Sequence, residues 1–449
     1  MPSSTIMPCF LRSFRLTSSS LRILVLLSLS LLAAAPAVRA AEPEGELKLV
    51  IVLARHGVRS PLQTNQILGK YAAEPWPEWS VKSGLLTPHG HQQMVRMGEY
   101  YRARYVAAGL LTGDPAKDAP AVFFRANNEP RTMESAIALA AGLLPGTPEP
   151  NLHTLPKGRI DPLYQPVKAG TSKPDRDLAV AAVLGRIGND PANLTLAYRP
   201  EFDALQRVLG PVSGQPGKTP VIELPGAVAR GEFDHTVAVQ GPVRLAMQIT
   251  DALLLEYTEG MPMKDVGWGR LDSATLTQLL KLHSLYFDLT QSTLYAAQAQ
   301  ASNLADHVLQ TLQRTVRGGS AEGAFGESGQ KFVLISGHDT NIINFAGLLG
   351  AHWYLPGTQQ DPLLPGGALV LELRQHSTGG YFVRVLYVSQ TLDQIRHLPP
   401  LSLEHPPAIA PIFIPGCSEN TPGLEVPFAK FEALLHRTID PQFVTPGVP

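Results

Sequence analysis

The sequence predicts an α/β fold with a mainly helical insertion. Residues 47–53 and 331–336 are mostly apolar runs of strand length, which suit strands buried on both faces of a sheet. Each run ends in a polar turn, and a helical pattern lies further along the chain. Between residues 171 and 290, helical patterns follow one another between loops rich in Gly and Pro. We therefore expect an α/β domain formed by residues 41–170 and 291–449, with residues 171–290 as a helical insertion or cap.

The individual elements follow from residue periodicity and from helix-ending signals. Thr87 and Pro88 form an N-cap with proline at the first helical position, and an apolar stripe at spacings of three and four follows. In chain order, the predicted elements are a strand at 47–53, a helix at 89–108, a strand at 121–124, helices at 133–144, 178–187, 202–209, 243–258, 273–289 and 303–316, a strand at 331–336, a helix at 342–349, strands at 368–373 and 381–388, and a helix at 428–438.

The first 40 residues have the pattern of a cleaved secretory signal peptide. Three arginines precede an apolar run at 23–35, and Val38-Arg39-Ala40 offers a cleavage site before Ala41. The run is shorter than the roughly 20 residues that a membrane span needs, and no later run approaches that length. We expect a periplasmic or secreted protein that has no membrane contact after cleavage. An uncleaved N-terminal anchor is the alternative.

Charge and cysteine content exclude some classes of function. Residues 1–40 hold four arginines and no acids, so residues 41–449 carry 33 basic and 38 acidic residues, a formal charge of −5. Such a balance lacks the basic footprint of a nucleic-acid-binding protein. Cys9 leaves with the signal peptide, so Cys417 has no internal partner and could pair only between chains.

Charged residues cluster where three predicted strands or their turns end. Arg55-His56-Gly57-Val58-Arg59 follows the first strand, Arg131 follows the second, and His338-Asp339 follows the strand at 331–336. The carboxyl ends of adjacent parallel strands meet at one edge of a sheet, so these groups can share one pocket. Taken alone, the first turn could equally be a basic surface turn.

Three arginines and two histidines around one point suit a phosphoryl group. Guanidinium forks bind its oxygens and neutralise charge in the transition state. A neutral histidine can attack phosphorus, and a neighbouring carboxylic acid can protonate the leaving oxygen. These residue types predict two-step hydrolysis through a phosphohistidine, without a metal or other cofactor. His89 and His91 do not suggest a metal site, because residues two apart on a helix do not face each other.

With these motifs, RHGVRSP at 55–61 and HD at 338–339, the sequence resembles the histidine acid phosphatase family, the second branch of the histidine phosphatases. It is most similar to the group of bacterial periplasmic phytases and glucose-1-phosphatases. The resemblance covers nearly all of residues 41–449 and includes WPEWSVKSGLLTPHG (76–90), DPLYQPVKAG (161–170), EGMPMKDVGWG (259–269), SGHDTN (336–341) and PGG (365–367).

The resemblance implies a fold and a set of roles. The fold would be an α/β catalytic domain with a mixed central sheet flanked by helices, together with the helical insertion. His56 would be the nucleophile and Asp339 the proton donor. The phosphate clamp would consist of Arg55, Arg59, Arg131 and His338. Arg131 matches the family arginine because Thr132 follows it, which leaves Arg125 as a rim residue or a solvated loop charge. The several disulfides of the family are absent.

The resemblance leaves the substrate open between phytate and a sugar phosphate. Leu62 stands where phytases of this group usually have threonine, as in glucose-1-phosphatases, whereas Gly57 and Thr340 are similar to phytases. Asp251 falls where the group places an acid near the leaving group, although it could equally be structural. We expect Leu62, Asn127 and Asp251 to influence specificity. The implied function is an exported, metal-independent, phytase-like acid phosphatase. The alternatives are a glucose-1-phosphatase or other sugar-phosphate phosphatase, a phosphotransferase, and an inactive phosphate-binding protein.

Overall fold

A central mixed sheet organises the protein, whose computed structural model describes residues 45–63 and 65–447. The predicted signal peptide lies outside these residues. The strands are β1 (Glu46–Arg55), β2 (Val122–Ala126), β3 (Leu152–His153), β4 (Ala227–Arg230), β5 (Val237–Gln240), β6 (Phe332–Gly337), β7 (Ala368–Gln375), β8 (Tyr381–Ser389), β9 (Ala408–Pro411) and β10 (Val426–Pro427). The main sheet has the order β10-β8-β7-β1-β6-β2-β3, with β9 also paired to β8, and β4 and β5 form a separate hairpin.

Helices flank this sheet and fill most of the region between β3 and β6. They are α1 (Asn65–Leu68), α2 (Pro88–Ala107), α3 (Pro115–Asp118), α4 (Pro130–Leu143), α5 (Pro166–Ala169), α6 (Arg176–Arg186), α7 (Ala192–Ala197), α8 (Arg199–Leu209), α9 (Pro242–Thr258), α10 (Ser273–Thr290), α11 (Leu294–Arg317), α12 (Asp339–Leu349), α13 (Leu392–His397) and α14 (Phe428–Thr438). Short 3-10 turns occur at Ala119–Ala121, Val221–Glu223, Val266–Gly269 and Pro441–Phe443. Within the described residues, no helix is both long and apolar enough to cross a membrane.

Strand β1 lies at the centre of the sheet and is buried on both faces, as predicted. Ile51 and Leu53 pack in one apolar cluster, whereas Val50 and Val52 pack in another. This alternation follows from the pleat, which directs successive side chains to opposite faces. Strand β1 pairs parallel with β6 and antiparallel with β7, so the expectation of a mixed sheet is confirmed.

The carboxyl ends of three parallel strands meet at one edge of the sheet, again as predicted. In the register of β1 and β6, Arg55 lies opposite Gly337, and the His56 amide donates to the Gly337 carbonyl over 3.1 Å. Strand β2 pairs with the other side of β6. There the Asn127 amide donates to the Ser336 carbonyl over 3.0 Å. Residues that follow these strands are therefore neighbours in space.

All predicted helices and strands have a counterpart, and the differences concern their ends and the short elements. Helix α4 begins at Pro130, three residues before the predicted start, so Arg131 lies in its first turn. Helix α11 begins at Leu294 rather than at residue 303. Its first part is rich in alanine, which favours a helix but gives no stripe of large apolar residues by which the sequence analysis could recognise it. The sequence analysis missed the hairpin β4–β5 and several other short elements. These are the strands β3, β9 and β10 and the helices α1, α3, α5, α7 and α13.

The division into an α/β domain and a cap stays a prediction. Residues 171–290 contain helices α6 to α10 and the hairpin β4–β5. Their apolar side chains, among them Leu253 and Leu276, belong to the same buried cluster as Ile51 and Leu53 of β1. The core on this face of the sheet is thus continuous with the helical region.

Helices α2 and α4 pack closely because each has a glycine at their contact. A β-carbon on Gly98 would lie 2.0 Å from the Leu139 carbonyl oxygen, and one on Gly142 would lie 2.1 Å from the Val95 carbonyl oxygen. Backbone atoms of a packed helix cannot move aside cheaply. The two glycines therefore set the distance between these helices.

We expect Gly142→Ala to lower the free energy of unfolding by about 1–3 kcal/mol or more, because the new methyl group collides with the backbone of α2. Gly185→Ala in α6 is the matched control, since a β-carbon there meets nothing within 4 Å. It should be neutral or stabilise by up to about 1 kcal/mol through helix propensity. Urea unfolding measures both, and equal stability of Gly142→Ala and wild type would contradict the close contact.

Candidate active site

A cavity of about 180 Å³ lies at the carboxyl ends of β1 and β6. Six of the residues that the sequence analysis selected line it, namely His56, Arg59, Leu62, Arg131, His338 and Asp339. A larger cavity of about 590 Å³ lies elsewhere, between α4, β2 and β3, and none of these six residues lines it. The polar cavity at the strand ends is therefore the candidate active site.

His56 is held in one tautomer with its second ring nitrogen available. Its Nδ1 atom lies 2.9 Å from the Gly57 carbonyl oxygen, which can only accept a hydrogen bond. Nδ1 therefore carries the proton, and the lone pair is on Nε2. Burial and the charges of Arg131, Arg59 and Arg55 lower the pKa of His56 well below its usual value. The imidazole consequently stays neutral, and nucleophilic, in mildly acidic solution.

The turn that carries His56 is fixed by residues from α2 and α4. The Gly57 amide donates to the Ser135 hydroxyl over 3.0 Å, and the Val58 amide donates to Gln93 Oε1 over 3.0 Å. A β-carbon at Gly57 would lie 2.7 Å from the Gly90 carbonyl oxygen, so only glycine fits there. The hydrogen bonds and close packing of this turn therefore hold the His56 ring in place.

Arg55 and Arg59 share a buried carboxylate. Asp251, on α9, accepts from Arg55 Nη2 and from Arg59 Nη2, each over 3.1 Å. Arg55 is fully buried and also contacts Asp339 Oδ2 at 3.0 Å and the Leu363 carbonyl. Burial alone would raise the pKa of Asp251, but Arg59 and Arg55 outweigh it and lower the pKa to about 2. Asp251 therefore stays ionised and orients both guanidinium groups.

Arg131 and His338 present hydrogen-bond donors to the cavity. Arg131 Nη2 lies 3.5 Å from His338 Nδ1, and because arginine only donates, Nδ1 accepts and Nε2 carries the proton. Burial and Arg131 lower the pKa of His338 to about 3, so its ring is neutral. The Nε atoms of Arg59 and Arg131 and the Nε2 atom of His338 are buried without a partner among the described residues. Unpartnered buried donors around one cavity suit an anion.

Asp339 begins helix α12 at the edge of this group of donors. Its Oδ1 atom accepts from the Thr340 amide over 2.8 Å, and its Oδ2 atom pairs with Arg55. Burial alone would raise the pKa of Asp339, but the charge of Arg55 outweighs it and lowers the pKa. Without an anion in the cavity, Asp339 is therefore ionised.

The comparison with known families agrees with this geometry. Residues 46–388 match the model of the histidine phosphatase superfamily (branch 2). The chain belongs to this family.

Bacterial phosphatases are similar in sequence to this histidine phosphatase over most of its length. Phytase AppA of Escherichia coli (strain K12) is 35% identical over 391 residues, which are 84% of this chain and 89% of that protein. A glucose-1-phosphatase of Providencia rettgeri is 30% identical over 398 residues, or 87% and 92% of the two chains. The solved structure of a phytase from Citrobacter braakii matches with a TM-score of 0.82 at 31% identity, covering 89% of this chain and 100% of that one. The protein is therefore a histidine acid phosphatase, a phosphoric monoester hydrolase.

The three candidate specificity residues of this phosphatase lie in different places. Leu62 lines the cavity and is half exposed. Asn127 is fully buried, and its Oδ1 atom accepts from the Glu129 amide over 3.1 Å, within its own turn. Asp251 lies behind Arg55 and Arg59 rather than among the residues that line the cavity. Of the three, Leu62 is the residue in position to meet a leaving group.

The interpretation of Arg125 as a rim residue or a solvated loop charge is wrong. Arg125 belongs to β2, is 3% exposed, and pairs with Asp161 over 2.6 Å. Its guanidinium also lies over the ring of Tyr164, with its central carbon 5.4 Å from the ring centroid. Arg125 thus supports the segment that brings Tyr164 and Gln165 to the cavity.

The structure adds several lining residues that the sequence analysis did not select. They are Tyr164, Gln165, Asp234, His235, Gln291, Gln300, Thr340 and Asn344. Tyr164 and Gln165 lie in segment 161–170, which resembles the same segment of the family, so the resemblance could have identified them as site residues. Across residues 45–63 and 65–447, no three or more His, Cys, Asp or Glu side chains are grouped to hold a metal ion. His89 Nε2 instead bonds to the Ile395 carbonyl over 2.7 Å.

We expect the His56 ring to remain neutral, with the proton on Nδ1, in the free protein at pH 5. Replacing Arg131 by methionine should raise the pKa of His56, because this arginine is the largest of the charges that lower it. The ring would then take up a second proton at a higher pH than in wild type. Nitrogen NMR of the imidazole measures both the tautomer and the titration.

Arg199→Met is the control for this titration, since Arg199 is an exposed residue that pairs with Asp203. It should leave the titration of His56 unchanged. A doubly protonated His56 ring at pH 5 in the wild-type protein would contradict the proposed electrostatics.

Proposed function

We propose that this histidine acid phosphatase hydrolyses phosphomonoesters in two steps through a phosphohistidine on His56, without a metal ion. The observation that carries the proposal is a neutral His56, with the lone pair on Nε2, beside three buried N–H groups that have no partner among the described residues. An ester phosphate supplies the acceptors that those groups lack. A phosphate bound to those groups would lie beside Nε2 of His56, which supports that atom as the nucleophile.

In the first step, Arg59, Arg131 and His338 bind the phosphoryl oxygens, and Nε2 of His56 attacks phosphorus opposite the ester oxygen. The N–P bond forms as the P–O bond breaks, and the bonding electron pair goes to the leaving oxygen. The arginines stabilise the charge that spreads over the equatorial oxygens. Asp339 donates a proton to the leaving alcohol.

Asp339 must be protonated for this role, although the free site keeps it ionised through Arg55. An incoming phosphate adds negative charge beside the carboxylate and competes for the same guanidinium groups. Both effects favour the protonated carboxylic acid and raise the pKa of Asp339 in the complex. The proton donor is therefore formed as the substrate binds, and activity should be highest below neutral pH.

In the second step, water attacks the phosphohistidine and releases inorganic phosphate. Asp339, now a carboxylate, takes one proton from the water as its oxygen bonds to phosphorus. The N–P electron pair returns to Nε2 of His56. When phosphate leaves, Asp339 pairs again with Arg55 and releases its proton to solvent, which restores the free site.

Location and substrate class are parts of the same proposal. The signal-peptide pattern of residues 1–40 supports export to the periplasm or the medium. The relatives that are named phytase and glucose-1-phosphatase support a phosphate ester of a polyol or a sugar as the substrate. No nucleic-acid partner is proposed, because residues 41–449 carry a net negative charge.

We expect His56→Ala to reduce kcat for p-nitrophenyl phosphate by at least about a thousandfold, because no other group can form the covalent intermediate. Rapid acid-free quenching of the wild-type reaction with ³²P-labelled substrate should trap an acid-labile, alkali-stable phosphoryl group that is absent from the variant. His405→Ala, which changes an exposed histidine, is the control. Wild-type turnover in His56→Ala would rule out this nucleophile.

We expect the loss caused by Asp339→Asn to depend on the leaving group. p-Nitrophenolate leaves readily without a proton, whereas a sugar or polyol alkoxide does not. The variant should therefore lose at least about tenfold more kcat on glucose 1-phosphate than on p-nitrophenyl phosphate. Equal losses on both substrates would show that Asp339 acts by some means other than proton donation.

A further inference from the structure

The turn of the β4–β5 hairpin forms part of the wall of the catalytic cavity. Two residues of this turn, Asp234 and His235, line the cavity, and Asp234 Oδ1 lies 3.3 Å from His235 Nε2. The turn is closed by hydrogen bonds from the Gly231 amide to the Thr236 carbonyl over 3.2 Å and from the His235 amide to the Glu232 carbonyl over 3.0 Å. This segment is therefore an ordered part of the cavity wall.

Helix α11 holds this turn in place. Gln300 Nε2 donates to the Asp234 carbonyl over 2.6 Å, and Gln300 is itself nearly buried at the cavity. Because this hydrogen bond is made to the backbone carbonyl of Asp234, it fixes the turn and does not occupy the Asp234 carboxylate. Gln300 thus acts as a positioning residue for the hairpin.

Other polar atoms of the cavity lack a partner within the part of the chain that the structure describes. They are the Oδ1 atom of Asn344 and the hydroxyl of Tyr164, both of which are buried. A buried acceptor without a donor costs free energy, so an acceptor such as Asn344 Oδ1 favours a ligand with an O–H group. The Asp234 carboxylate is a further acceptor. An ionised phosphate offers only acceptors, so it can accept from the Tyr164 hydroxyl but cannot satisfy the oxygens of Asn344 and Asp234.

The cavity lining has few strong positive charges. Among the described residues that line it, the arginines are Arg59 and Arg131, both at the phosphate site, and there is no lysine. The lining also includes Asp234 and His235, which are partly exposed, and the neutral side chains of Gln165 and Gln291. The cavity therefore offers strong cations for one phosphate, and a second phosphate would meet the Asp234 carboxylate.

We propose that Asp234, Tyr164 and Asn344 form the subsite for the leaving alcohol, and that this subsite selects a neutral, hydroxyl-rich alcohol over one that carries another phosphate. The proposal rests on the phosphatase function proposed for the same site and specifies its substrate class. It favours a sugar monophosphate over a polyphosphorylated ester such as phytate. Hydroxyl groups of the alcohol donate to Asn344 and Asp234 and exchange hydrogen bonds with Tyr164.

The test compares two esters of the same sugar, glucose 1-phosphate and glucose 1,6-bisphosphate, with p-nitrophenyl phosphate as a substrate that lacks sugar hydroxyls. We expect wild-type kcat/KM to be at least about tenfold higher for the monophosphate. Asp234→Asn removes the repulsive charge and should reduce this preference several-fold. Glu322→Gln, which removes an exposed acid that does not line the cavity, should leave the preference unchanged.

Tyr164→Phe is an independent variant that keeps the ring and removes the hydroxyl. The ratio of KM for glucose 1-phosphate to KM for p-nitrophenyl phosphate should rise several-fold relative to wild type. Equal wild-type kcat/KM on the mono- and bisphosphate, or an unchanged preference in Asp234→Asn, would overturn the proposed subsite. Absence of p-nitrophenyl phosphate hydrolysis by the wild-type protein would instead refute the proposed function.

Discussion

The guanidinium of Arg55 is the interaction on which the site depends. A charge this deeply buried is stable only if it is paired and hydrogen-bonded, because its desolvation is otherwise uncompensated. Its partners are Asp251 from α9, Asp339 from α12 and the Leu363 carbonyl, which come from three separate stretches of the chain. The end of the central strand is thereby connected to the helical region and to the start of α12. Through Asp251, the same network also orients Arg59.

This network occupies the Nη atoms of Arg55, which are bonded to protein oxygens. The buried Nε atom of Arg55 has no partner among the described residues, and the same is true of one buried N–H group in each of Arg59, Arg131 and His338. The expected direct contact between Arg55 and phosphate stays a prediction. In the ligand-free site its charge acts on His56, whose pKa it helps to lower, and on Asp339, which it keeps ionised. A compact group of cations thus keeps the nucleophile neutral and prepares an anion site at the same time.

Local pattern was enough to predict the long strands of the sheet and the charged residues that follow three of them, whereas the mixed pairing of the sheet was implied by the family resemblance. The apolar run that contains Ile51 is buried on both faces, and His56 and His338 follow adjacent parallel strands. Sequence patterns did not predict contacts between residues far apart in the chain. Arg125 looks like a loop charge until Asp161, 36 residues away, is seen beside it. Strands β4 and β5 have four residues each, which is too short for a clear alternation of apolar and polar side chains. The sequence therefore did not predict the hairpin or the turn that contains Asp234. The orientation of Asp251 likewise depends on the packing of α9, which periodicity does not specify.

Strands β4 and β5 form a two-stranded sheet that is separate from the central sheet. This has a consequence for how the enzyme can change in evolution. Insertions or deletions in their turn break no hydrogen bond of the central sheet, where the phosphate-binding residues originate. Loop-length changes at such a surface turn also cost little conformational entropy. Under the proposed role of Asp234, a change in this turn alters the range of substrates and leaves the phosphate-binding residues in place.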